Sequence, residues 1–190
     1  MPRYLLMVVA KQQPGMALYD AETDELHCRS EALGIAPHEG AFSPDGRHLL
    51  LTTLAKPFSY VVPYYSFPNE TDLYTADGEF LLNFSKQPLL DNLPVGFMAT
   101  YEGKRSIHWR ADQPSTLAWV DALDKGDPAV EAEHRDELFQ LEAPFTGTPR
   151  SLLKTTHRLS GITWGSNAYA VVHDRWWITR NTKSYLINPS

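Results

Sequence analysis

A chain of 190 residues with 43% apolar content is long enough for a sizeable core and too hydrophobic for a disordered segment. Seventeen basic against 23 acidic residues give a net charge of −6, which argues against the basic surface that non-specific nucleic-acid binding needs. No apolar run approaches the ~18 residues needed to span a bilayer, and a single cysteine, Cys28, excludes an intrachain disulfide.

Fourteen prolines and a 12% aromatic share favour an all-β protein with many turns. Tyr4 to Ala10 reads as a buried first strand. It is too short, with one basic residue before it and no small-x-small site after it, for a signal peptide. No targeting segment is evident, so the default compartment is the cytoplasm. Gln12 to Gly15 is a loop. Met16–Tyr19, Asp20–Asp24 and Glu25–Cys28 then read as strand, turn and strand, with a helix over Ala21 to Leu33 as the alternative.

After a connector, Gly34 to Gly40, stands the best-defined stretch, Phe42 to Pro68. Ser43-Pro44-Asp45-Gly46 has the residues of a tight turn, and His48 to Thr53 has the β-branched and apolar content of a strand. Ser59 to Val62 is a further strand candidate, and Tyr64 to Phe67 an aromatic loop ended by Pro68. Thr71–Thr75 and Glu79–Phe84 flank Asp77-Gly78 as a hairpin. Gln87 to Pro94 is a loop, and Val95 to Thr100 is extended.

Arg105–Trp109 and Thr116–Ala122 repeat the pattern of an aromatic strand end, a polar turn and an apolar strand. Asp121 to Glu133 carries six charges and reads as a solvated loop. Glu137–Glu142 alternates, and Arg150–Lys154 pairs back across a Gly147–Pro149 turn. Leu159–Trp164, a turn at Gly165–Asn167 and Ala168–His173 form a third copy. Asp174–Arg180, a turn at Asn181–Thr182 and Lys183–Asn188 follow as one more hairpin.

Phe42, Trp109 and Trp164, the aromatics before the three turns, lie 67 and 55 residues apart. Four strands per repeat at such a period is the pattern of β-propeller blades with enlarged loops. The expected fold is therefore an all-β, partial β-propeller of three to four four-stranded antiparallel blades. It forms one domain over 1–190, with blade-like units at roughly 1–33, 40–86, 104–155 and 156–190. A β-sandwich with regular hairpins is the alternative.

The chain has no Gly-x-Ser-x-Gly elbow, and Gly165-Ser166-Asn167 lacks its spacing. It has no HExxH, no glycine-rich phosphate loop and no cysteine pair. Seven scattered histidines offer no metal-ligand spacing, so neither a metal nor a cofactor is expected. Two constellations remain. Phe58, Tyr60, Tyr64 and Tyr65 crowd a proline-interrupted stretch that could stack on a substrate or cover a pocket mouth, or pack between blades. Arg105, Arg110 and Arg175, with Lys104 nearby and Arg180 beside Trp176-Trp177, could hold a carboxylate by bidentate pairing, or form surface and inter-strand ion pairs.

The stretches PDGRHLLLTTLAKPFSYVVPYYSFP, DNLPVGF, RSIHWRADQPSTLAWVDALDKGDP, HRDELFQLEAPFTGTPRSLLKT, RLSGITWG and WWITRNTKSYLINP resemble the propeller of the glutamyl endopeptidase branch of prolyl oligopeptidase-type serine peptidases. The resemblance runs over nearly the whole chain from about Met16. It implies a multi-bladed propeller that restricts access and helps bind peptide, followed by an α/β-hydrolase domain carrying the serine, aspartate and histidine. This chain covers only three to four blades and lacks the catalytic part, so it is expected to be non-catalytic alone. The implied partners are a peptide substrate and an α/β-hydrolase catalytic domain, with no nucleic acid and no membrane, and self-association through open propeller edges. A free-standing propeller or sandwich interaction module is the alternative.

Overall fold

The computed structural model describes residues 4–9, 15–20, 25–29, 36–166 and 168–190, with side chains described from residue 39 onward. Among the described residues the protein is all-β: there is no α-helix, and the sole helical element is a 3-10 turn at Tyr64–Ser66. The chain divides into two compact units, Met1–Asp91 and Asn92–Ser190.

The first unit holds two antiparallel sheets. One is the three-stranded meander β1 (Tyr4–Val9), β2 (Gly15–Asp20) and β3 (Glu25–Arg29), in that order. The turn of its second hairpin and the alternative helix at 21–33 fall largely outside the described residues, but a strand at Glu25–Arg29 leaves no continuous helix there. The other sheet is β4 (Ala36–Phe42), β5 (His48–Leu54), β6 (Asn69–Thr75) and β7 (Phe80–Gln87), again in chain order. The two hairpin turns form where the sequence places them. Gly46 and Gly78 adopt φ of +71° and +89°, the left-handed region that a side chain resists. In the first turn, Ser43 Oγ donates to Asp45 Oδ1 at 2.6 Å and Gly46 N donates to Ser43 O at 2.8 Å. Leu49, Leu50 and Leu73 are buried, so β5 and β6 supply the core of this sheet.

The second unit holds a four-stranded sheet in the order β11-β10-β9-β8 and a three-stranded sheet in the order β12-β13-β14. The first comprises β8 (Arg105–Trp109), β9 (Thr116–Ala122), β10 (Asp136–Glu142) and β11 (Arg150–Thr155). The second comprises β12 (Arg158–Ser166), β13 (Tyr169–Trp176) and β14 (Asn181–Ile187). Thr116 to Val120 are all buried, which is the signature of a strand covered on both faces. Val120, Leu138 and Val172 bring β9, β10 and β13 into one core. Around them pack Leu152 and Leu153 of β11, Leu159, Ile162 and Trp164 of β12, and Tyr185 and Ile187 of β14. Fully burying Val120, Leu138 and Val172 contributes about 1.5–3 kcal/mol each.

Phe42, Trp109 and Trp164 all lie at or near the C-terminal end of the first strand of their sheet. The elements differ from the sequence reading at five places. The connector at Gly34–Gly40 is largely strand β4. Ser59 to Val62 is irregular, because Pro57 and Pro63 flank it and its residues find no partner strand. Val95 to Thr100 is a loop, with Gly96 and Met98 at φ of +132° and +74°. Asp174 belongs to β13, and the turn falls at 177–180, with Arg180 at φ +59°. The third copy therefore has three strands, not four. Finally, the charged stretch from Asp121 to Glu133 is not wholly solvated, since Asp124 is buried to 1% exposure. Among the described residues the four sheets are open, each with two edge strands.

Candidate functional site

The aromatic loop between β5 and β6 is pinned at its base and exposes aromatic side chains beyond it. Ala55 N donates to Pro68 O at 2.7 Å, closing the loop, and Leu90 N donates to the carbonyl of the buried Ser66 at 2.9 Å. Gln87 Nε2 donates to Phe67 O at 3.1 Å. From this base Phe58, Tyr60, Tyr64 and Tyr65 all project outward, with Tyr60 fully exposed. Phe58 and Phe67 have ring centroids 5.6 Å apart, and Tyr64 and Tyr65 meet edge to face at 5.7 Å. Lys56, Pro57, Phe58, Ser59, Tyr60 and Phe67 line a cavity of about 740 Å³. Exposed aromatic rings on a hydrogen-bonded loop base offer flat apolar faces on which a ligand can stack.

The three arginines singled out with that loop lie in the second unit and are not brought together. Arg105 Nη2 lies 2.7 Å from Asp136 Oδ1. Arg110, 2% exposed, grips Asp112 with a fork: Nε to Oδ1 at 3.1 Å and Nη2 to Oδ2 at 2.7 Å. Its Nη1 donates to Gln140 Oε1 and, at 3.2 Å, to Pro189 O, while its face stacks 4.5 Å above Trp164. Arg110 also lines a cavity of about 540 Å³ with Gln140, Arg150 and Pro189. Arg175 is exposed and stacks 4.7 Å from the Trp177 ring. The guanidiniums of Arg105 and Arg110 are thus already paired with internal carboxylates.

Sequence reasoning missed the ionic centre of this unit. Arg158, 3% exposed, donates to Asp136 Oδ1 at 2.9 Å from Nη1 and to Asp124 Oδ2 at 2.9 Å from Nη2, and Nη1 lies 2.7 Å from Asp124 Oδ1. Its Nε donates to Met98 O at 2.9 Å. Arg135 Nη1 donates to Asp124 Oδ2 at 2.7 Å, and Leu159 N donates to Asp136 Oδ2 at 2.8 Å. Burial pushes the Asp124 carboxyl upward, but hydrogen bonds from Arg158 and Arg135 outweigh it, and the net shift is downward. The fully buried Asp174 accepts from Tyr185 Oη at 2.8 Å and from His157 N at 3.1 Å. Burial raises the Tyr185 pKa, and the Asp174 carboxylate adds to the rise. The only signal for these aspartates in the sequence was their position just after or within apolar strands.

No family model matches the chain. A probable glutamyl endopeptidase, chloroplastic, of Oryza sativa subsp. japonica is 38% identical over 149 residues, which are 77% of this chain and 16% of that protein. A protein of the same name from Arabidopsis thaliana is 37% identical over 149 residues, 77% of this chain and 15% of that protein. A crystal structure of a eukaryotic initiation factor aligns over 100% of this chain and 51% of that one. Its identity is 13% and its TM-score 0.45, too loose a match to speak to fold or function. The chain is related to a segment of the proteins named glutamyl endopeptidase and spans about one sixth of their length.

Proposed function

We propose, from this relationship to a segment of proteins named as peptidases, that the chain is a non-catalytic partial β-propeller of a glutamyl endopeptidase-like serine peptidase of the prolyl oligopeptidase type. In that setting it borders the path of a peptide towards an α/β-hydrolase catalytic domain. The observation that carries the reading is the aromatic loop at 56–67, which keeps Phe58, Tyr60, Tyr64 and Tyr65 in solvent on an anchored base. An exposed aromatic cluster beside a cavity is the usual form of a peptide-contact surface.

The test uses the 190-residue chain and its triple variant Phe58→Ala, Tyr60→Ala, Tyr64→Ala. Titration with glutamate-containing peptides, followed by calorimetry, is expected to show weak binding that the triple variant loses by on the order of tenfold or more. The chain itself is expected to leave those peptides uncleaved. Peptide hydrolysis by the purified chain, or binding unchanged in the triple variant, overturns the reading.

A further inference from the structure

Eight arginines have described side chains, and six of them reach an oxygen acceptor. Arg175 and Arg180 do not. Among the described residues their guanidiniums touch only the Trp177 ring, at 4.7 and 3.8 Å. Phe97, 70% exposed, lies 6.0 Å from the same ring, and Ile178 beside it is 68% exposed. The result is a ledge that is apolar at its centre and carries two cations with unfilled hydrogen-bonding capacity. Arginine on an aromatic face keeps its in-plane N–H groups free for a carboxylate.

The complementary surface adjoins the ledge. The loop after β9 presents Val130, Glu131 and Glu133 to solvent, and neither glutamate side chain is ion-paired or hydrogen-bonded among the described residues. This loop is held beside the ledge by several contacts. Thr100 N donates to Gly126 O at 2.9 Å, and Pro128 packs 3.3 Å from where a Cβ on Gly96 would stand. Arg135 Nη1 donates to Val130 O at 2.9 Å while its guanidinium stacks 4.3 Å over Trp176. A basic-aromatic ledge and an acidic-apolar loop therefore share one surface of the unit, and neither satisfies the other within the chain.

Two adjoining patches of opposite sign meet the condition for a two-fold contact, in which each patch of one copy meets the other patch of its partner and every interaction is made twice. We propose that a second copy of this chain docks here, Glu131 and Glu133 of each copy pairing with Arg175 and Arg180 of the other, and Val130 packing on Phe97 and Ile178. Opposite charges set the register, and the exposed apolar side chains supply the burial.

Sedimentation of the 190-residue chain at micromolar concentration tests this, with circular dichroism as the check that each variant folds. The wild type is expected to dimerise. The double reversals Arg175→Glu, Arg180→Glu and Glu131→Arg, Glu133→Arg are each expected to be monomeric, their dimer Kd raised on the order of tenfold or more. An equimolar mixture of the two is expected to recover the dimer, because each carries the complement of the other. A monomeric wild type, a dimer that survives either reversal, or a mixture that stays monomeric overturns the proposal. Survival of both reversals would assign association to the open sheet edges instead.

Discussion

Arg158 and Asp124 face each other through two parallel contacts, Nη1 to Oδ1 at 2.7 Å and Nη2 to Oδ2 at 2.9 Å, with both side chains almost wholly out of solvent. Arg158 opens β12 and Asp124 follows β9, so the pair ties one sheet of the second unit to the loop of the other. A buried pair is a weak source of net stability, but removing one member leaves the other charged and unpaired. Asp124→Asn is therefore expected to destabilise the chain by about 3–5 kcal/mol. Urea unfolding would show it as a lower midpoint, against a change within about 0.5 kcal/mol for the exposed control Glu102→Gln.

The same pair gives an acid limb. The Asp124 pKa is lowered in the folded protein, whereas in the unfolded chain an aspartate titrates near 3.9. The unfolded state thus takes up its proton first as pH falls. The stability that Asp124 contributes is fully present above about pH 5 and declines as pH drops through its unfolded and then its folded pKa. The urea midpoint of the wild type is expected to fall between about pH 5 and pH 3, and that of Asp124→Asn to fall less over the same interval. Parallel slopes in the two proteins would place the acid sensitivity elsewhere.

Three glycines with positive φ separate two physical costs. At Gly46 and Gly78 a Cβ would meet nothing within 4 Å, so alanine there bears only the backbone penalty, about 1–2 kcal/mol. At Gly126, with φ +77°, a Cβ would stand 2.2 Å from the Thr100 carbonyl oxygen, a backbone atom that cannot swing aside. Gly126→Ala is expected to cost clearly more than Gly46→Ala or Gly78→Ala, and to release the amide of Thr100 from its bond to Gly126 O. Thermal unfolding with hydrogen exchange at Thr100 would read both effects.

The hairpins were legible in the sequence because their cause is local. Asp-Gly needs only its own backbone to favour the turn, and the apolar runs after it set the strands. The errors arose where the deciding partner is distant. Ser59 to Val62 has strand-like residues but no strand beside it, and tertiary pairing is what makes a strand. Asp124 sits in a charged run that reads as solvated, and only Arg135 and Arg158, 11 and 34 residues away, bring it inside. In the same way Arg105, Arg110 and Arg175 look alike as letters, yet two are consumed by internal carboxylates and the third stands in solvent on Trp177.

That last contrast yields a prediction that separates structural from exposed arginines. Arg110 holds four acceptor atoms at once, on Asp112, Gln140 and Pro189, and covers Trp164 with its planar face. Lysine keeps the charge but has neither the fork nor the plane, so Arg110→Lys leaves buried acceptors without donors. It is expected to cost about 2 kcal/mol. Arg175→Lys, at an exposed position with no oxygen acceptor, is expected to stay within about 0.5 kcal/mol of the wild type. Equal unfolding midpoints for the two variants would mean that the Asp112 fork contributes nothing to the fold.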